Sequence, residues 1–331
     1  MSDEHDKSIG SFIYDSTKPA AIEFEKKHQE IKAVHDKWDV ENLTGEELTR
    51  FVYQRTGIER KPATKAKGEV IVSGVAGSIV RKGDLVGTET VSFVFLEDKT
   101  INESGLVNVP VECEKFGVIG NVPANGITKF PVTLPGLINV YNPNPFVNGY
   151  EAESDTDLRQ RYYDKLQRPG KAGNKYHYLE WAKEVIGVGD ARCIPRWNGP
   201  LTVKVVIIDA NKQPASAELV QQVFDYIEEE RPFGADVTVI SAKGKAINIS
   251  VSLSLVSGYA ESTVIESIKK NITKYLQEIA FKPVTVSYAK IGSIIIDTEG
   301  VLDYQNLLVN NGIVNISVGN EEVAIMGGVS K

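Results

Sequence analysis

At 331 residues, with 42% hydrophobic and 24% charged residues and a net charge of −7, the chain has the make-up of a globular protein too long for one hydrophobic core, and roughly two to four domains are expected. An acidic chain has no overall attraction for phosphate backbones or anionic lipid, and no apolar run is long enough to span a bilayer. Neither nucleic acid nor a membrane is therefore expected as a partner.

The opening residues, 1–7, are polar and charged. They are expected to be poorly ordered, and they lack the apolar centre of a signal peptide, so the chain is not expected to be exported by itself. Residues 18–38 predict a helix. Ala20, Phe24, Ile31, Val34 and Trp38 fall on one stripe at three- and four-residue steps. So narrow a stripe must be buried against something, either the rest of its own domain or a second chain, and periodicity does not choose between them. A second helix follows Thr44, whose spacing to Glu47 is that of a capping box. Leu48, Phe51 and Val52 form its apolar face, and Gly57 can end it in a left-handed conformation. The densest basic run, Arg60, Lys61, Lys65 and Lys67 with Pro62, reads as a solvated linker and a domain boundary.

From residue 68 to about residue 147 valine, threonine and glycine replace the helix formers. Strands are expected at 69–72, 78–80, 91–95, 106–111, 127–130 and 138–140, and prolines at 131, 135, 143 and 145 mark an extended exit. Ser154 then reads as an N-cap with Asp155 and Asp157 in the first turn. Asp155–Arg159 and Asp157–Arg161 have ion-pair spacing on a helix that runs to Gln167. Residues 176–185 predict another helix, carrying Tyr178, Trp181, Ala182 and Val185.

The remainder reads as two similar halves. Strands at 191–195 and 201–208, a helix at 215–230 and a strand at 236–240 make the first. A strand at 246–256, a helix at 262–279 and a strand at 284–288 make the second. In both, the helix runs into a proline and then a valine-rich strand. A short helical stretch and a closing hairpin at 313–318 and 322–326 are expected at the end. The fold class is thus α+β and multidomain. N-terminal helices (1–62) precede a central all-β module (63–150), and two α/β sandwich modules of related layout follow (151–242 and 243–331).

Chemistry is hard to find in this sequence. Cys113 and Cys193 are far apart and form no C-x-x-C pair, which points to small core residues in a reducing cytoplasm and away from a disulfide framework or zinc site. The histidines, His5, His28, His35 and His177, have no metal-ligand spacing. No nucleophile elbow, phosphate loop or dinucleotide fingerprint is present. Two S-x-x-K matches, Ser267 to Lys270 and Ser287 to Lys290, lack the companion motifs of that site. No carboxylate pair lies in an evidently apolar setting. No catalytic residue, cofactor site or metal site is expected.

Three clusters resemble the baseplate J family of contractile phage tails. The first is Arg60-x-Pro62-Ala63-Thr64-x-Ala66-x-Gly68. The second is Gly117-Val118-Ile119-Gly120-Asn121-Val122. The third, and most specific, is Asn142-Pro143-x-Pro145-Phe146 followed by Gly149-x-x-x-Glu153-Ser154-Asp155-x-x-Leu158-Arg159-x-Arg161, then Gly173-Asn174-x-x-x-Tyr178-x-x-Trp181-Ala182. Asn148 stands where the family often has another glycine.

The resemblance implies a structural, non-enzymatic wedge protein of the baseplate in a phage virion or tail-like particle, assembled in the bacterial cytoplasm. It would form part of the ring around the hub and pass on the rearrangement that triggers sheath contraction. Implied partners are a second copy of the chain, a wedge partner, the hub and a sheath-proximal wedge protein. For the helix at 18–38 it favours an intermolecular bundle through Phe24, Ile31 and Trp38. Residues 153–161 can be a well-capped helix start or, through Arg159 or Arg161, a partner contact. Two rival functions are a host-surface or glycan-binding tail protein, which would use the β module, and a cell-wall hydrolase, which would need an acid–base pair.

Overall fold

The computed structural model describes residues 8–282 and 285–330. The polar tail at 1–7 with His5, and the proline–valine step at 283–284, lie outside the described residues. The chain divides into two units, one joining Met1–Arg60 to Ser154–Gln167 and the other joining Lys61–Glu153 to Arg168–Lys331.

The first unit is helical: α1 (Phe12–Asp36), α2 (Gly45–Thr56) and α3 (Asp155–Gln167), with a 3-10 turn at Val40–Asn42. Helix α1 begins earlier than the stripe predicts because Ser11 caps it, its hydroxyl accepting from Tyr14 N at 3.2 Å. Pro19 lies inside α1. Val40, Leu43, Leu48 and Val52 are buried with Leu158 and Tyr162, and Phe51 meets the Tyr162 ring edge-on at 6.0 Å. Helix α3 therefore completes the N-terminal core, whereas the expected boundaries place it in the third module.

The second unit opens with a β module of β1 (Lys65–Gly74), β2 (Ile79–Val80), β3 (Leu85–Gly87), β4 (Ser92–Phe95), β5 (Lys99–Thr100), β6 (Leu106–Phe116) and β7 (Leu137–Tyr141). The main sheet has the order β3-β4-β6-β1-β7, with every pairing antiparallel. Strands alternate sides at period two, so Ala66, Val70 and Val72 of β1 and Val109, Val111 and Cys113 of β6 enter one core with Phe93 and Phe95. The strand expected at 127–130 is reduced to a single bridge between Lys129 and Gly87. The basic run at 60–67 is not a solvated linker. Lys65 and Lys67 lie in β1 and both pair with Glu112, at 3.2 and 2.7 Å.

Helix α4 (Lys175–Glu184), β8 (Val188–Pro195), β9 (Thr202–Asp209), α5 (Ala217–Glu230) and β10 (Asp236–Ser241) form the middle module. Its sheet runs β10-β9-β8, with β9 parallel to β10 across α5 and antiparallel to β8. Val205 and Ile207 face Trp181, Leu219, Val223 and Ile227 of the helices. Val206 and Ile208 face the other way, into a cluster with Ala242, Ala280 and Val323. Strand β9 is buried on both faces over Val205, Val206, Ile207 and Ile208, which is why those four residues read as an unbroken apolar run.

The C-terminal module contains β11 (Lys243–Leu255), α6 (Glu261–Ile279), β12 (Thr285–Val286), α7 (Tyr288–Ile296), β13 (Val301–Val309), β14 (Ile316–Ser317) and β15 (Glu322–Ser330). Its main sheet is β13-β11-β15. The expected closing hairpin does not form. Strand β14 pairs with β12, and β15 pairs in parallel with β11. In both modules a central strand has one parallel and one antiparallel neighbour, but the connections differ. The fold is α+β and multidomain.

Truncating Ile208, fully buried between the middle and C-terminal modules, should lower stability by about 2–5 kcal/mol through lost burial and a residual cavity. Denaturant unfolding of Ile208→Ala against the parent chain checks this; a change within about 0.5 kcal/mol would mean that the seam is loosely packed.

Candidate functional site

The first two motif clusters and the start of the third meet at one seam of the β module. Gly68 occupies an inward position of β1, in line with Ala66 and Val70. The place of its missing side chain is filled by the Phe146 ring, which meets Phe93 edge-on at 5.5 Å. A side chain at Gly120 would strike Cys113 and Ala66. One at Gly149 would lie 2.5 Å from Gly117 O and 2.8 Å from Asn121 Oδ1. These glycines are places of close approach.

Side-chain amides then stitch the seam. Gly149 N donates to Asn121 Oδ1 at 2.9 Å and Asn121 Nδ2 donates to Gly149 O at 3.0 Å. Asn148 does the same for Lys67, accepting from its N at 2.8 Å and donating to its O at 3.0 Å. The departure from glycine at 148 thus adds a two-sided pairing. Asn142, fully buried, accepts from Ile127 N and donates to Pro123 O and Asn144 O, at 2.8–2.9 Å. A buried amide is stable only when satisfied in this way. Glu153 N donates to Lys61 O at 3.0 Å and Lys61 N to a Glu153 carboxylate oxygen at 3.2 Å.

In the helical unit Ser154 caps α3, its Oγ accepting from Asp157 N at 3.1 Å and donating to the Asp157 carboxylate at 2.9 Å. The Thr44–Glu47 capping box expected at α2 does not form. The Thr44 side chain makes no cap bond, and Glu47 pairs with Lys37 at 2.5 Å. Asp155 takes over the task, accepting from Gly45 N at 3.0 and 3.2 Å and pairing with Arg60 at 2.6 Å. Those two bonds, the Gly45 amide first, hold its carboxyl below the usual carboxylate range. Arg159 does not reach back to Asp155 as the spacing suggests. It donates to Val40 O at 3.0 Å and Leu43 O at 2.5 Å. Arg161 donates to Glu59 O at 3.3 Å, and Leu158 is core.

The last part of the third cluster sits in the middle module. Gly173 adopts a left-handed φ of +72° against Pro232, and Asn174 caps α4, its side chain accepting from His177 N at 2.9 Å. Tyr178 and Trp181 are buried, and His177 stacks on Trp181 at 3.9 Å. Most motif residues are therefore engaged inside the fold. Phe24, Ile31 and Trp38 are not: they are 77%, 67% and 76% exposed. Trp38 also lines an open groove with Phe51, Tyr162, Tyr163 and Leu166.

Among the described residues no group of three or more His, Cys, Asp or Glu side chains could hold a metal ion, and no helix is long and apolar enough to cross a membrane. Ser287 of one S-x-x-K match is the N-cap of α7, accepting from Lys290 N at 3.2 Å. Burial pushes the Cys193 thiol up to about 11. Sequence reasoning missed one carboxylate in an apolar setting. Asp209, at the end of β9, is buried, and burial raises its pKa to about 7. Its only signal in the sequence is the position directly after Val205-Val206-Ile207-Ile208.

Residues 69–149 match the Baseplate J-like protein barrel domain, residues 170–241 the Baseplate J-like central domain, and residues 247–331 the Baseplate J-like protein C-terminal domain. The chain is 32% identical to phage-like element PBSX protein XkdT of Bacillus subtilis (strain 168), over 99% of this chain and 93% of that protein. It is 27% identical to baseplate protein gp47 of Escherichia phage Mu, over 67% of this chain and 65% of that protein. A chain in the cryo-EM structure of the anti-feeding prophage (AFP) baseplate aligns over 84% of this chain and 80% of its own length, with a TM-score of 0.40 and 12% identity. The chain belongs to the Baseplate J-like family.

Replacing Asp155 by alanine removes the acceptor for Gly45 N and the partner of Arg60, and should cost about 1–3 kcal/mol at neutral pH. The folded pKa is lowered, so this stability is present above the unfolded carboxylate value and lost as pH falls through the folded one. Thermal unfolding followed by circular dichroism should show the gap between Asp155→Ala and the parent narrowing toward acid. A gap that is the same at all pH values would place the effect elsewhere.

Proposed function

We propose that this chain is a structural wedge protein of the baseplate of a contractile phage tail or phage-tail-like particle. In this reading it forms part of the ring around the hub and passes on the rearrangement that triggers sheath contraction. It works through assembly and not through catalysis. Family membership and the likeness to a protein named as a baseplate protein of phage Mu support the baseplate role.

The observation that carries the wedge reading is the state of α1. A helix of 25 residues keeps Phe24, Ile31 and Val34 in solvent, and Trp38, which the sequence places on the same helix, is exposed in the turn just after it. Burying each such side chain is worth about 1.5–3 kcal/mol, so a stripe of this length favours association. A second copy of the chain and another baseplate protein are the partners proposed for it, packed helix against helix along that stripe. The hub and a sheath-proximal wedge protein would meet the other modules. The particle would be assembled in the bacterial cytoplasm.

The triple variant Phe24→Ser, Ile31→Ser and Trp38→Ser should fold, because none of these side chains belongs to a buried core, yet fail to enter particles or to co-purify with the other baseplate proteins. Sedimentation of assembled particles from cells carrying the variant tests this. Normal incorporation of the triple variant would overturn the bundle reading.

A further inference from the structure

Asn125, Asn148, Asn198 and Asn311 each stand directly before a glycine. A glycine has no side chain to keep its amide nitrogen from the carbonyl carbon of the asparagine side chain. In sequence the four steps are equivalent; in the fold they are not. Asn148 spends both ends of its amide on Lys67, and the buried Gly149 donates its N–H to Asn121 Oδ1 at 2.9 Å. Gly126 N donates to Pro123 O at 3.1 Å and Gly312 N to Val309 O at 3.0 Å, and both glycines are half-buried. Gly199 differs on each count. It is exposed, its N–H reaches Arg196 O only at 3.4 Å, and a side chain there would meet nothing within 4 Å. A contact that long is a weak hydrogen bond. Among the described residues no partner holds the exposed side-chain amide of Asn198.

We propose that Asn198–Gly199, in the turn between β8 and β9, is a site of spontaneous covalent modification, deamidation through a cyclic imide with water as the only co-reactant. Gly199 N gives its proton to hydroxide and bonds to Asn198 Cγ. The Cγ–Nδ2 bond breaks, and the amide nitrogen takes a proton from water and leaves as ammonia. Water then opens the imide at one of its two carbonyl carbons. Opening at Cγ leaves aspartate. Opening at the main-chain carbon leaves isoaspartate, in which the backbone runs through the side chain and is one methylene longer. The turn is built so that the longer product disturbs it. Thr202 Oγ1 accepts from Asn198 N at 3.0 Å and donates to Gly199 O at 2.8 Å, one hydroxyl bridging the step from end to end. Arg196 N donates to Thr202 O at 2.7 Å just outside that bridge. The added methylene lies between the two bridged atoms, so isoaspartate does not keep both bonds, whereas aspartate does. Modification therefore adds a negative charge next to Trp197 and frees the turn that leads into β9. This inference does not rest on the baseplate role.

Incubation of the full-length protein at mildly alkaline pH, followed by peptide mass spectrometry and an isoaspartate-specific methylation assay, tests it. The peptide holding Asn198 should convert about tenfold faster than those holding Asn125, Asn148 and Asn311, the rate factor that one well-made hydrogen bond on the nucleophile is worth. In the urea-unfolded protein the four should convert at similar rates, because only the fold separates them. Asn198→Gln removes no contact of the fold and would need a larger ring, so most of the isoaspartate signal should be lost in that variant. An Asn198 peptide that converts no faster than the other three in the folded protein would overturn the proposal. So would the same ranking in the unfolded chain, or an isoaspartate signal undiminished in Asn198→Gln.

Discussion

The second unit depends on a single strand that has no solvent face. Strand β9 sends Val205 and Ile207 to the helices of its own module and Val206 and Ile208 to the C-terminal module. A strand covered on one side would let the two modules move as separate domains. One covered on both makes their sheets share a core. The polar rim agrees with this: Arg192 donates to Gly319 O and Asn320 O at 3.0 and 3.2 Å, and Lys204 pairs with Glu321 at 2.6 Å. The turn that ends β9 extends the same constraint to the β module through Gly149.

The helical unit follows the opposite rule. Its short core is closed by α3, and Arg159 and Asp155 spend their hydrogen bonds on the backbone of α2 and the turn before it. What is left over is α1, a long helix with an apolar stripe in water. The later modules are packed on one another, whereas Phe24, Ile31 and Val34 of α1 are exposed.

Much of this was legible from residues alone. Valine- and threonine-rich stretches punctuated by glycine located β1, β4, β6 and β7, and the Ser154 cap located α3 to the residue. The Gly57 stop also holds, at a φ of +72°. The failures share a cause, which is that partners distant in sequence decide local geometry. Thr44 and Glu47 have the spacing of a capping box, but Asp155, remote in the chain, reaches Gly45 N instead. Residues 313–326 look like a hairpin, yet β11 offers β15 a longer parallel edge. Lys65 looks solvated until Glu112 is seen across the sheet, half-burying its side chain. The motif residues were recognisable as a set, but their reasons were not. That Gly68 makes room for Phe146, and that Asn142 satisfies a buried loop, are facts of the folded chain only.

Gold-labelled antibody against this chain, viewed by electron microscopy on purified contractile particles, tests the central claim most directly. Label is expected in a ring close to the tube, at the end of the tail that carries the baseplate. Label confined to outlying fibres, or no label on intact and partly disrupted particles, would contradict it.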